Sequence, residues 1–140
     1  MSIKLHYDVP GDDFTRAGEA SGAVKGKLKQ LGFPADVIRR VAIAMYEGEI
    51  NMVIHAGGGT ADVEVDPDCV RITLTDQGPG IPDLDLAMQE GWSTATETVR
   101  NLGFGAGMGL PNIKKYSDTL DIDTAPGEGT TMRMAVFVNQ

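Results

Sequence analysis

Cysteine is nearly absent from this chain: Cys69 is the only one in 140 residues, so an internal disulfide is impossible and a metal-thiolate cluster is excluded. Long apolar runs are missing as well, none approaching the roughly 18 residues of a membrane span. The stretch after Met1 lacks the basic, apolar and cleavage-site order of a signal peptide, and a cytoplasmic protein away from membranes is expected. Positive charge is in deficit, with 12 Lys and Arg against 20 Asp and Glu and a net charge of −8. The acidic residues are scattered rather than gathered in a tail, so a phosphate backbone would be repelled and nucleic acid is not an expected partner. Repeats, low-complexity tracts and linkers are also lacking. What remains is ordinary for a globular chain, 41% hydrophobic and 23% charged, and its length fits one domain, residues 1–140, with one core. Cys69, in an alternating stretch, reads as a small buried hydrophobe.

The apolar periods place the elements. Ile3, Leu5, Tyr7 and Val9 alternate with Lys4, His6 and Asp8, the period of a half-buried strand. From Asp12 or Asp13, either of which offers a cap, Phe14, Ala17, Val24, Leu28 and Leu31 recur at helical spacing until Gly32. Gly18, Gly22 and Gly26 lie inside that pattern, where close backbone packing is the expected reason for them. A second helix is expected from about Pro34 to Ala56, with Val37, Ile38, Val41, Ala44, Met45, Ile50, Val53 and Ile54 on its apolar stripe and Gly57 to Gly59 ending it. Strands follow over 60–65 and 70–75, joined by a turn at Asp66-Pro67-Asp68. Residues 83–90 read as a short helix, 91–102 have no clear period, 110–116 read as helix, and 120–124 and 130–138 as strands around a turn at 126–129. Short turns between consecutive strands favour antiparallel pairing, and helices with one apolar stripe must cover one face of such a sheet. The expected fold is α+β, a two-layer α/β sandwich with a mixed, mostly antiparallel sheet and its helices on one face.

Three motifs carry chemistry. Glu47 and Asn51 lie four residues apart on the second helix and project from one face, with His55 a further turn along. A carboxylate there can take a proton from an attacking hydroxyl, and an amide oxygen is a hard ligand for Mg²⁺. Glu49, pointing away from Glu47, reads as part of a solvated helix face. Asp76 ends a strand and Gly78-Pro79-Gly80 turns after it. The carboxylate can accept from an exocyclic amine such as that of adenine, and the glycines let a flat ring approach the backbone. Gly103, Gly105, Gly107 and Gly109 alternate ahead of a helix near Pro111, where successive N–H groups and the helix dipole can cradle phosphate. The run is neither a Walker loop, since no Gly-Lys-Ser or Gly-Lys-Thr follows, nor the dinucleotide fingerprint, since its third glycine falls one position early and no strand precedes it.

Taken in order, Glu47-x-x-x-Asn51, Asp76-x-Gly78-x-Gly80, Gly107-x-Gly109 and Gly127-x-Gly129-Thr130 resemble the boxes of the ATPase superfamily that includes gyrase, heat-shock chaperones and histidine kinases. The stretch from Met45 to Ala56 looks like the bacterial anti-sigma-factor serine kinases, and 76–83 and 103–111 look more like the switch kinases related to them. The resemblance spans roughly residues 10 to 138 and implies Mg²⁺-ATP as cofactor. It further implies transfer of phosphate to a serine or threonine of a small antagonist protein of the anti-anti-sigma type, controlling a sigma factor or signalling complex by partner switching. On this resemblance Glu47 is the general base, Asn51 the Mg²⁺ ligand, and Asp76 the adenine-amine acceptor over the turn of Gly78 and Gly80. Gly105, Gly107, Gly109 and Leu110 close on the phosphates, Thr130 supports Asp76 or a bridging water, His55 lies beside the phosphates or else has a capping or packing role, and 84–102 is the ATP lid. A homodimer through the first strand and helix is a further family expectation.

The chain departs from the pattern where many of these kinases carry an arginine just ahead of the glycine loop; that place falls within 103–106, and Arg100 lies a few residues upstream. Phosphoryl transfer depends on positioning and charge neutralisation, so a non-catalytic module whose partner affinity is set by ATP stays open beside the kinase. Histidine-kinase activity fits poorly, because neither His6 nor His55 has the context of a phosphoacceptor on dimerisation helices.

Overall fold

A computed structural model describes residues 2–11, 16–78, 80, 109–125 and 127–138. Over these the chain runs β1 (Ile3–Pro10), α1 (Glu19–Gln30), α2 (Ala35–Ala56), β2 (Gly58–Asp66), β3 (Cys69–Asp76), α3 (Gly109–Tyr116), β4 (Thr119–Ala125) and β5 (Gly129–Phe137). The strands form one sheet in the order β1-β2-β3-β5-β4. The sheet, expected to be mostly antiparallel, is antiparallel at every described pairing. The first excursion returns the chain to the end of the sheet it left, Pro10 at the end of β1 facing Gly58 at the start of β2; the second re-enters at the opposite end, with Thr119 of β4 opposite Ala135, and the β4–β5 hairpin then brings Thr130 back beside Asp76 at the end of β3. The β2–β3 hairpin closes at Asp66 opposite Cys69, as the Asp-Pro-Asp turn requires.

Alternation decides the two faces of the sheet. Val63, Val65, Val70, Ile72, Leu74, Met132, Met134 and Val136 are buried together with Val24 and Leu28 of α1, Val37, Val41, Met45 and Val53 of α2, and Ile113 of α3. The helices therefore share one face, and the result is the expected two-layer sandwich. The opposite face carries charged side chains, such as Arg133 with Asp121 and Asp123, each 3.2 Å away. Exposed pairs of this kind add at most about 1 kcal/mol. The described helices include none long and apolar enough to cross a membrane. Cys69 is buried as expected.

The first helix departs from its sequence pattern. It begins at Glu19, behind Gly18 in the left-handed region at φ 100°, so Ala17 lies outside it. Asp12, Asp13 and Phe14 fall outside the described residues. A Cβ added at Gly22 or Gly26 would meet no atom within 4 Å, so close packing is not why these glycines are there. Close approach occurs instead at Gly48, where a Cβ would run into the side chain of Leu74. The glycine lets α2 settle low over β3, and this fixes the height of its neighbours Glu47 and Glu49 above the sheet.

Candidate functional site

Helix α2 ends at Gly57, which adopts the left-handed conformation at φ 71° and gives its N–H to the Met52 carbonyl, a glycine C-cap of the usual kind. The last turns of this helix carry Glu47, Asn51 and His55, all half-buried. Burial pushes the Glu47 carboxyl above the ordinary carboxylate range, and a hydrogen bond from the Asn112 side chain on α3 works against that rise. A carboxylate with a raised pKa and one fixed donor is suited to taking a proton. Burial pushes the His55 imidazole below its ordinary value, so it is neutral at pH 7. Asn112 was not picked out by sequence reasoning. Its signal was modest: a polar residue in the first turn of the helix that follows the glycine run.

A second group gathers where β3, β5 and the end of α2 meet. Asp76 Oδ1 accepts two backbone N–H groups, from Gly78 at 3.0 Å and from Thr130 at 3.1 Å. Both bonds fall on one oxygen, and among the described residues no bond to Oδ2 is found, so Oδ2 keeps its capacity to accept a further donor. A Cβ at Gly78 would press on Ala56 of α2, and Gly80 takes φ 80° where a Cβ would run into the Ala125 carbonyl of β4. Only glycine fits both demands at position 80. Thr130 meets Asp76 through its backbone N–H, while its hydroxyl shares a 2.9 Å hydrogen bond with that of Thr124.

The phosphate side is described in part. Helix α3 starts at Gly109, and Leu110 is buried beside it. Gly105, Gly107, the lid over 84–102, the short helix expected at 83–90 and Arg100 lie outside the described residues. Among the described residues no group of three or more His, Cys, Asp or Glu side chains is placed to hold a metal ion. Of the residues on α2, Asn51 has the chemistry for Mg²⁺, which binds through one or two protein oxygens and fills its remaining positions with phosphate oxygens and water.

Glu49 corrects the sequence reading outright. It is not on a solvated face: it is 1% exposed and accepts hydrogen bonds from three backbone N–H groups at the start of α1. Oε2 receives Gly18 at 2.9 Å and Ala20 at 3.2 Å, and Oε1 receives Ser21 at 3.0 Å. A carboxylate from another helix thus satisfies donors that a helix start leaves orphaned, and the dipole favours its charge. The signal was present in the spacing. Met45, Glu49, Met52 and Val53 lie on one buried stripe at helical period, and a carboxylate on such a stripe demands partners.

Residues 36–140 match the family model described as histidine kinase-, DNA gyrase B-, and HSP90-like ATPase. The chain is 34% identical over 109 residues to the serine/threonine-protein kinase RsbT of Bacillus subtilis, covering 75% of this chain and 76% of that protein. It is 28% identical over 145 residues to the anti-sigma F factor of Caldanaerobacter subterraneus, covering all of this chain and 94% of that protein. Among solved structures, the RsbU and RsbW domains of a Mycobacterium tuberculosis protein share the fold, with a TM-score of 0.64 at 17% identity; the match covers 96% of this chain and 32% of that one. The mycobacterial sensor histidine kinase MprB does so with a TM-score of 0.53 at 19% identity, covering 96% and 97%. With the Glu47–Asn51 turn, the doubly held Asp76 and the sandwich beneath them, the chain belongs to the histidine kinase-, DNA gyrase B- and HSP90-like ATPase family.

Proposed function

We propose that the chain is a cytoplasmic serine/threonine protein kinase that binds Mg²⁺-ATP and phosphorylates a small antagonist protein, so controlling a sigma factor or signalling complex by partner switching. The observation that carries this reading is Glu47, a half-buried carboxylate with a raised pKa, bonded to Asn112 and one helical turn from Asn51. Asp76 Oδ2 accepts from the adenine amine, and Gly78 and Gly80 keep side chains away from the ring. Asn51 would hold Mg²⁺, which when bound would supply charge neutralisation on the phosphates. Gly105, Gly107, Gly109 and Leu110 enclose those phosphates, with His55 beside them as a neutral group. Glu47 takes the proton from the acceptor hydroxyl as its oxygen bonds to the terminal phosphorus, and the bond to the β-phosphate oxygen breaks to leave ADP. The relatives named as a serine/threonine kinase and as anti-sigma factors support the class of acceptor.

The test is transfer of labelled terminal phosphate to small proteins fractionated from the source cell. Glu47→Ala should leave ATP affinity intact and cut transfer by about 10²-fold to 10⁴-fold, the usual worth of a general base. Unchanged transfer refutes the base assignment. The absence of an arginine within residues 103–106 favours a second reading, a non-catalytic module gated by ATP. Partner affinity that changes between ATP and ADP without any phosphoprotein decides for the module.

A further inference from the structure

Helices α1 and α2 enclose a groove of about 360 Å³ lined by Gly18, Ser21, Gly22 and Lys25 on one side and by Ala42, Ile43, Tyr46 and Glu47 on the other. The same Glu47 that faces Asn112 therefore also borders a groove open to solvent. The far wall is the first turn of α1, and the Glu49 carboxylate holds that turn by all three of its hydrogen bonds to Gly18, Ala20 and Ser21. Within the turn, the Ser21 hydroxyl and the Gly22 N–H both donate to the Gly18 carbonyl, at 3.2 and 2.9 Å. Gly18 lies flat against Tyr46, where a Cβ would sit 3.0 Å from the ring. The wall is thus fixed to α2 on both sides of Glu47: by Tyr46, one residue before it, and by Glu49, two residues after.

We propose that Glu49 is a positioning residue for phosphoryl transfer, holding the first turn of α1 as the wall of the groove in which the acceptor segment of the protein substrate lies against Glu47. This rests on the reading of Glu47 as the base. The occupant follows from the lining. An acceptor hydroxyl must reach Glu47, and the groove brings a protein segment to that carboxylate from the solvent side. Gly22, with open space where a Cβ would be, leaves room for a backbone to pass. Lys25 sets a positive charge on the rim of the groove whose other wall carries Glu47, so a segment with a carboxylate near the acceptor hydroxyl can pair with Lys25 while the hydroxyl meets Glu47. Glu49 touches neither nucleotide nor acceptor; it acts through residues 18–21.

The test uses the acceptor identified by the transfer assay and compares wild type, Glu49→Gln and Gly18→Ala. Glutamine turns an NH₂ toward amide donors and releases the turn. Alanine at Gly18, with φ at 100° and Tyr46 against it, disturbs the same turn while leaving Glu49 in place. Each variant should lower kcat/KM for the acceptor about tenfold or more, chiefly through KM, as loss of uniform binding of the acceptor segment does. ATP affinity should stay within about twofold of wild type, because the Asp76 end of the site is untouched. Amide exchange at residues 18–21 should speed up in both, and the double variant should lose less than the product of the two single effects. Unchanged kcat/KM with fast-exchanging amides at 18–21 overturns the proposal, as does a parallel loss of ATP affinity, which marks general loosening. If Glu49→Gln fails to fold, Gly18→Ala carries the comparison by itself. A wild-type chain that forms no phosphoprotein refutes the kinase reading and this inference together, whereas active wild type with equally active variants refutes the inference only.

Discussion

The two oxygens of Asp76 have separable duties, and replacing this residue by Asn and by Ala distinguishes them. Oδ1 receives both backbone N–H groups, from Gly78 and Thr130, while Oδ2 is assigned to the adenine amine. Asp76→Ala removes both duties. Two N–H groups lose their acceptor in a half-buried place, at about 1–3 kcal/mol each when fully buried and toward the lower end here, so about 2–4 kcal/mol of stability should go. Asp76→Asn keeps an oxygen for the two N–H groups, which fixes the orientation of the amide, and gives up only the charge assistance, about 1 kcal/mol. The same orientation turns an NH₂ toward the adenine amine, setting donor against donor. That should cost about 2–4 kcal/mol of binding, a rise of about 30-fold to 1,000-fold in Kd. GTP, whose O6 accepts, should lose less. Titration calorimetry with Mg²⁺-ATP and thermal unfolding of the three proteins read both quantities. The reasoning is refuted if Asp76→Asn binds ATP within about threefold of wild type, or if it is destabilised as much as Asp76→Ala.

Other expectations concern α2. Glu47 titrates above its unfolded value, so over the intervening pH window the folded chain keeps a proton the unfolded chain has lost. Stability therefore declines as pH rises through that window, and the penalty persists above it. Glu47→Gln should raise the melting temperature at neutral pH, with the gain vanishing below the ordinary carboxylate range; a constant gain at all pH values would contradict the desolvation of Glu47. The acid limb of the transfer rate should likewise have its midpoint above 4.5, read from a pH–rate profile. His55, depressed by burial, carries the opposite sign: its stability contribution is lost as pH falls through the ordinary imidazole value, and His55→Gln should flatten that part of the stability curve. Gly48→Ala pushes a methyl into Leu74 and should cost about 1–3 kcal/mol by overpacking, and Leu74→Ala in the same chain should recover part of it in chemical denaturation.

Local periodicity made the sheet and α2 legible, because each strand buries one face and α2 carries an apolar stripe that ends at a glycine cap. The turn after β3 was legible for a related reason: Asp76, Gly78 and Gly80 meet demands that few residue types satisfy. What escaped were relations between elements. The start of α1 is set by Gly18 in the left-handed region and by Glu49, which lies 31 residues further along the chain, so the helical spacing of Ala17 with Val24 extended the pattern too far. Glu49 was read by its distance from Glu47 rather than by the buried stripe it occupies. Asn112 acquires its meaning only when α3 packs on α2. The antiparallel pairing of β1 with β2 across two helices depends on where the chain re-enters the sheet, and no local pattern encodes that.

The Asp76–Thr130 bond joins residues 54 positions apart, and this separation bears on the order of folding. The β2–β3 and β4–β5 hairpins close over two and three residues, whereas aligning β3 with β5 must first close a much longer loop and meet its entropic cost. The nucleotide end of the sheet is therefore assembled late, after the hairpins that it joins. Contacts absent from the transition state act on the unfolding rate rather than the folding rate. ATP bound across Asp76 should thus lengthen the lifetime of the folded chain in proportion to its affinity while leaving the folding rate nearly unchanged, and this end of the sheet would be the first to open once nucleotide departs.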